Sequence, residues 1–472
     1  MSRLIIVSNR VALPHDEDKA AGLGVALQEA LVQGEGLWFG WSGQCAEDDA
    51  APVLHRFGRA TYATIDLPEG DQRDFYSGFS NGMLWPLFHY CPGRSTFQRK
   101  AFQGYLRVNE TFARHLATLI RPDDCIWVHD YHFIPLAAAL RRLGVRNRIG
   151  FFLHTPFPAP ELFTMLPVHR RLVGDLSAYD LIGFQTEESA RALERYVTGE
   201  AGGRVSGDHV IEIDGRQTQI GVFPISIDTA AFAELAEEAV HGRETRRLRD
   251  SLVGRSLVIG VDRLDYSKGL PQRLEAFQTL LRRWPEQRGR VTLMQIAPVS
   301  RGQLAPYRSL RQEIEGLTSR LNGEFAESDW VPVRYLNKSF PRMVLAGFYR
   351  SAQVGLVTPI RDGMNLVAKE YVAAQDPVNP GVLVLSRFAG AAQELKDALI
   401  VNPYDTDQVA AALQMALTMP LEERVARWSS MMGVLTRNTI SVWRDRFLAA
   451  LDRVPIDRTT AARNPRHRLE FA

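Results

Sequence analysis

The sequence predicts an α/β protein of two doubly wound domains, on three observations. Short runs of branched aliphatic residues recur along the chain: "RLIIVSN", "CIWVHDYH", "RIGFFLHT", "DLIGFQT" and "QIGVFPISI" in the first half, then "SLVIGVDR", "RVTLMQIA", "VPVRYLN", "VGLVTPI", "GVLVLS" and "ALIVNP". The runs are apolar throughout rather than alternating, as strands of a parallel sheet covered on both faces must be, and the stretches between them have helical periodicity. At 472 residues the chain also exceeds what one core supports.

The elements fall into two groups. Residues 1–228 form the first domain and 229–439 the second, with the charged segment "EEAVHGRETRRLRDSLVGR" as a surface helix and connector between them. The segment "NTISVWRDRFLAALDRV" is an amphipathic helix (440–455), and 456–472 is a polar, basic stretch expected to be a disordered tail.

Composition excludes several function classes. Lys plus Arg number 56 against 54 Asp plus Glu, which leaves no net field to hold a nucleic-acid backbone or an anionic membrane. The opening "MSRLIIVSNR" has only four consecutive apolar residues, too few for a secretory signal, and no apolar run approaches the roughly 20 residues of a membrane span. A cytoplasmic protein is expected. Three widely spaced cysteines, Cys45, Cys91 and Cys125, suit neither a disulfide framework nor a zinc cluster. Asp407 reads as a helix cap rather than a metal ligand, and no His/Cys metal spacing occurs. A tight G-x-G-x-x-G turn, a P-loop and a nucleophile elbow are also missing.

Open parallel sheets bind ligands beyond the carboxyl ends of their strands. Those positions here carry Asn9, Arg10, His129, Asp130, His154, Arg263, Arg301, Arg361 and Asp362, which together predict a polar cleft lined from both domains. In "VDRLDYSKGLPQRLEAF", Arg263 and Lys268 lie beside a helix start, with Pro271 in its first turn. Two cations beside free backbone N–H groups suit a diphosphate. Arg10, Tyr76, Trp85 and Arg301 make a second candidate anion site, although spacing alone does not bring them together. In "TPIRDGMNLVAKEYVAAQ", Asn365 reads as the cap of a helix containing Lys369 and Glu370.

The blocks "RLIIVSNR", "GLWFGWSG", "FSNGMLWPLFHY", "WVHDYHFIPLAAALR", "RIGFFLHTPFPAPELF", "DRLDYSKGLPQRLEAF", "QIAPVSRG" and "TPIRDGMNLVAKEYVAAQ" together resemble the bacterial trehalose-6-phosphate synthases, from residue 3 to about residue 450. That resemblance implies two Rossmann-like domains facing across a cleft, the glycosyltransferase B-type fold, with a C-terminal helix crossing back to the first domain. It implies a retaining, metal-independent transferase without a cofactor, a homo-oligomer (dimer or tetramer), that joins glucose from a nucleotide-glucose, UDP-glucose foremost, to glucose 6-phosphate.

Carried over by position, the resemblance assigns the donor diphosphate to Arg263 and Lys268, and the transferred glucose to Asp362 and His154. The stretch Leu366, Val367, Ala368, Lys369 and Glu370 would lie along the donor, with the Glu370 carboxylate on the ribose and Phe340 beside the base. Arg10, Tyr76, Trp85 and Arg301 would hold the acceptor phosphate, and Asp130 an acceptor hydroxyl. Ala21 and Gly22 fall in a donor-side loop where the family usually has a Gly-Gly pair, and Ser226 stands where glycine is common. Three alternatives stay open: another phosphorylated acceptor (a glycerol phosphate or an aminocyclitol phosphate), a nicotinamide-dependent dehydrogenase, and a catalytically silent sugar sensor.

Overall fold

The computed structural model describes residues 3–14, 24, 27–28, 31, 35–47, 50–207, 209–299 and 305–455. The residues Ala21, Gly22 and Arg301, and the segment 456–472, lie outside this set. The first sheet contains β1 (Leu4–Arg10), β2 (Gly36–Cys45), β3 (Val53–Phe57), β4 (Ala60–Leu67), β5 (Cys125–His129), β6 (Ile149–Phe152), β7 (Leu181–Phe184), β8 (Arg204–Ser206), β9 (Val210–Ile213) and β10 (Arg216–Val222). Their order is β3-β4-β2-β1-β5-β6-β7-β10-β9-β8. The stretch from β4 to β10 is parallel, and its central strands β5, β6 and β7 are almost wholly buried, which is why they read as unbroken apolar runs.

The margins depart from that pattern. β3, β9 and β8 pair antiparallel, and β3 leaves Val53 and Leu54 exposed. A hairpin edge needs no helix cover, so it does not produce the continuous apolar signal. The run "QIGVFPISI" also divides: β10 ends at Val222, and the chain leaves the sheet from Phe223.

The second sheet holds β11 (Ser256–Val261), β12 (Val291–Ile296), β13 (Val333–Leu336), β14 (Val354–Val357), β15 (Val382–Ser386) and β16 (Leu399–Val401), all parallel, in the order β13-β12-β11-β14-β15-β16. Numbered within this half, that is 3-2-1-4-5-6, the doubly wound order whose ligand crevice opens where the connections reverse, between β11 and β14. In the first sheet the corresponding reversal lies between β1 and β5.

The connector is two helices, Thr229–Ala239 and Arg243–Leu252. Helix Leu421–Arg437 stops before Thr439, which caps the final helix, Ile440–Arg453, by accepting from Val442 N at 3.4 Å. The final helix packs on the first sheet: Phe447 stacks on Trp127 at 4.8 Å between ring centroids and lies over Gly150 and Gly183. The first domain is thereby clamped by the last helix among the described residues. Asp405, not Asp407, caps the helix Thr406–Thr418, accepting from Gln408 N at 2.9 Å; the β-like backbone needed for a cap falls two residues before the expected position.

Candidate active site

On the second sheet, the chain leaving β11 places Arg263, Lys268 and Gly269 ahead of helix Leu270–Arg283, with Pro271 in its first turn. Lys268 forms an ion pair with Asp362, which follows β14, and Asn365 Nδ2 donates to the same Asp362 oxygen at 3.0 Å. Burial pushes the Asp362 carboxyl up, but Lys268 and the Asn365 hydrogen bond outweigh it and hold the group below the ordinary range. The two sides of the β11/β14 crevice are therefore joined by charge.

Asn365 takes a left-handed backbone (φ 78°) and its Oδ1 accepts from Ala368 N at 3.2 Å. The Ala368 N–H is thus committed to the cap, and helix geometry leaves Leu366 and Val367 as first-turn N–H groups without an intrahelical partner. The Lys369 side chain is wholly buried, donating to Glu394 Oε2 at 2.6 Å and to the Ile225 carbonyl at 2.7 Å. It is a strut between domains, so any part it has along a ligand belongs to its backbone. Glu370 next to it is partly buried, and burial, opposed by Arg342, pushes its carboxyl up to about 7. Phe340 is half-buried beyond β13, with Lys338 Nζ 4.9 Å from its ring centroid.

Across the cleft, Arg10, Tyr76 and Trp85 meet through aromatic neighbours. Arg10 lies 5.2 Å over Trp41, whose ring is 5.8 Å from Tyr76; Tyr76 stacks on His132 at 6.0 Å, His132 is 4.1 Å from Tyr131, and Tyr131 is 5.8 Å from Trp85. Tyr76 rides on an uncommon π-helix, Arg73–Leu84, with Trp85 immediately after it. A Cβ on Gly43 (φ 91°) would overlap the Arg10 guanidinium, so a side chain there would displace it.

Trp85 links the halves. The Arg263 guanidinium lies 5.5 Å from its ring centroid, and its Nε1 donates to Asp265 Oδ1 at 3.4 Å. Asp265 is fully buried and also accepts from Ser267 N (3.0 Å) and Tyr307 OH (3.2 Å), which fixes the indole against the second domain. Behind the indole, His89 is driven down to about 4 by burial. Trp41 and Asp265 had no sequence signal as site residues; Asp265 reads locally as a turn aspartate.

At the ends of β5 and β6, Asp130 has φ 75° and ψ 167°, a region essentially reserved for glycine and costing about 1–3 kcal/mol. It is held there by Asp130 N donating to Phe152 O at 2.8 Å and by its carboxylate accepting from His154 N at 3.2 Å. His154 is partly buried; burial pushes its imidazole down to about 3. Its carbonyl faces Gly363, where a Cβ would overlap it. Arg361 pairs with Glu188 at 2.5 Å and lies 4.0 Å over the Tyr90 ring, closing the same mouth. The recess bounded by Pro156, Glu188, Arg361, Asp362 and Phe388 holds about 20 Å³, room for about one water.

Among the described residues, no group of three or more His, Cys, Asp and Glu side chains is placed to ligate a metal, and no helix is long and apolar enough to cross a membrane. The structure thus brings Arg10, Tyr76, Trp85, Arg263, Lys268 and Asp362 along one cleft, with Asp130 and His154 on its wall.

Known proteins match this arrangement over nearly its whole length. The sequence profile of glycosyltransferase family 20 matches residues 4–453. A trehalose-6-phosphate synthase of Sinorhizobium fredii is 52% identical over 462 residues, 95% of this chain and 98% of its own. A Burkholderia xenovorans α,α-trehalose-phosphate synthase (UDP-forming), solved in complex with glucose-6-phosphate, superposes with a TM-score of 0.93 at 50% identity, covering 96% of this chain and 100% of that one. An E. coli structure bound with UDP-2-fluoro glucose gives 0.92 at 46% identity, with 96% and 100% covered. With two parallel-sheet domains across a cleft and a profile match from end to end of the described fold, the chain belongs to glycosyltransferase family 20.

Proposed function

We propose that this transferase is an α,α-trehalose-6-phosphate synthase, moving glucose from a nucleotide-glucose, UDP-glucose foremost, to glucose 6-phosphate with retention. The observation that carries the reading is Trp85, which touches the donor-side cation Arg263 while its aromatic neighbours lead to Arg10 and Tyr76. A donor diphosphate on Arg263, Lys268 and the N–H groups of Leu366 and Val367 then lies against a phosphate-binding acceptor pocket. The alternative phosphorylated acceptors are not favoured, because the B. xenovorans relative is complexed with glucose-6-phosphate.

The chemistry balances without a protein nucleophile. The anomeric hydroxyl of glucose 6-phosphate forms the new C1–O bond on the face that the diphosphate leaves; the C1–O(phosphate) bond breaks through an oxocarbenium-like state, and the departing phosphate oxygen takes the hydroxyl proton. The Asp130 carboxylate is engaged by His154 N and the Asp362 carboxylate by Lys268 and Asn365, which suits both to holding hydroxyls. Arg263 and Lys268 supply the positive charge that grows useful as the leaving group charges.

Incubating the protein with glucose 6-phosphate and each of UDP-, GDP- and ADP-glucose, then reading the product by NMR, is expected to show trehalose 6-phosphate with both anomeric centres α, in EDTA as well as without it. A different acceptor product, or loss of turnover in EDTA, sinks the corresponding part of the reading.

Glu370 gives a pH signature. Two ribose hydroxyls need the carboxylate as acceptor, and this carboxyl protonates as pH falls through about 7. KM for the donor is expected to rise below that pH, approaching tenfold per unit, while KM for glucose 6-phosphate stays flat. Glu370→Gln is expected to abolish the slope; a donor KM independent of pH in the unsubstituted enzyme removes Glu370 from the ribose site.

A further inference from the structure

Three adjacent strand ends carry a hydrogen-bonded row that the transfer chemistry has not yet used. His129 closes β5, His154 follows β6 and Gln185 follows β7. Ile225 N donates to Gln185 Oε1 at 2.9 Å, Gln185 Nε2 lies 3.4 Å from His154 Nδ1, and His154 Nε2 lies 3.0 Å from His129 Nδ1. A backbone N–H only donates, so it fixes the oxygen of Gln185 toward Ile225 and the NH₂ toward His154. An amide NH₂ only donates in turn, so His154 Nδ1 must accept and its single proton sits on Nε2. That proton points at His129 Nδ1, which must accept, placing the His129 proton on Nε2. The His129 Nε2 is buried, among Trp127 and Trp443, with no hydrogen-bond partner among the described residues.

We infer that His129 is a positioning residue for glucosyl transfer: with Gln185 it locks His154 as a neutral imidazole, proton on Nε2, in one ring orientation beside the donor sugar. The inference rests on the reading that His154 faces the transferred glucose. Held at both nitrogens, the ring keeps one orientation and one shape on the wall beside the sugar, whereas an imidazole released at Nε2 is free to rotate and holds that shape only part of the time. The row holds one arrangement because its far end is main chain: the Ile225 N–H donates to Gln185 and the Ile225 carbonyl accepts from the buried Lys369. Lys369, a helix residue of the second domain, thus braces the segment from which the order of protons is set.

The test combines spectroscopy and kinetics on the full chain. With histidine ¹⁵N-labelled and His154 assigned by its loss in His154→Asn, the unsubstituted protein is expected to show a bare Nδ1 and a protonated Nε2. Gln185→Glu keeps an oxygen for Ile225 N but offers an acceptor to His154, and is expected to reverse that pattern. His129→Phe keeps a ring in the aromatic cage while removing the acceptor; kcat/KM for the donor is expected to fall roughly tenfold, with KM for glucose 6-phosphate unchanged and the Nε2-protonated tautomer retained, because Gln185 still donates to Nδ1. His129→Asn, whose Oδ1 can stand where Nδ1 stood, is expected to recover most of the lost kcat/KM.

A His154 protonated on Nδ1 in the unsubstituted protein overturns the inference, as does an expected tautomer with donor kinetics indifferent to His129→Phe. Should His129→Phe fail to fold, the unsubstituted spectrum and Gln185→Glu still decide the proton order, and His129→Leu, smaller than the imidazole and without an acceptor, decides the kinetics. The donor-site reading fails separately: His154→Asn would then leave donor kcat/KM intact whatever the spectra show.

Discussion

Arg263→Ala is expected to lower kcat by about 10²- to 10³-fold in a protein of nearly unchanged stability. The size follows from removing one preorganised positive donor from a leaving group that gains charge in the transition state. The unchanged stability follows from placement: Arg263 is solvent-exposed where it leaves β11, and its contact with Trp85 is a cation–π approach worth about 0.5–1 kcal/mol at exposed sites. Lys268 makes a poorer test of the same idea. It is the ion-pair partner of the partly buried Asp362, so Lys268→Ala strips that carboxylate of its cation and mixes a folding cost of about 1–3 kcal/mol with the catalytic one. Steady-state kinetics with a parallel thermal melt separates the two. An Arg263→Ala enzyme with turnover within a fewfold of normal removes Arg263 from the diphosphate; a large loss of Tm shows that the residue is structural.

The comparison of the two cations also shows what a sequence can and cannot display. The placement of Arg263 and Lys268 at the mouth of the β11/β14 crevice was legible because a strand end is located as soon as the strand is, and strands buried on both faces announce themselves as unbroken apolar runs. β3 and β8 do not, since an edge hairpin half open to water has no such constraint. Asp265 carries no mark that distinguishes it from a turn residue, yet it fixes Trp85, 180 positions away in the chain. Lys369 looked like a helix charge with a choice of roles until its partners, Glu394 and the Ile225 carbonyl, were brought to it from 25 and 144 residues off. The proton order of His154 requires knowing that β5, β6 and β7 are neighbours, which is a property of topology. Residues whose role depends on one strand end were readable; those whose role is to connect two distant segments were not.

Gly363→Ala is expected to cut kcat by about 10²-fold or more while each half of the protein still folds and binds its own ligand. Gly363 belongs to the second domain and meets the His154 carbonyl of the first, where a methyl group cannot fit. The loop cannot retreat: Asp362 N donates to Phe388 O at 3.0 Å and Gly390 N to Asp362 O at 3.2 Å, pinning it to the segment after β15, and Gly390 itself abuts the Gly363 carbonyl. His154 cannot retreat either, with its N–H held by a strained Asp130. Relief must therefore come from the hinge, and the added methyl keeps the domains from closing fully. A displacement of about 1 Å between reacting groups costs on the order of 10²-fold in rate, and it acts on kcat because the donor cations and the acceptor pocket lie on opposite halves. Calorimetric titration with UDP is expected to give a Kd close to that of the unsubstituted enzyme, since the cations and the helix start proposed to hold its diphosphate, Arg263, Lys268 and Leu366, belong to the second domain. Normal turnover in Gly363→Ala would mean that the productive complex is more open than the arrangement in which Gly363 meets the His154 carbonyl; UDP binding lost along with turnover would mean that the loop after β14 had collapsed, and that the close approach to His154 was not what the glycine protects.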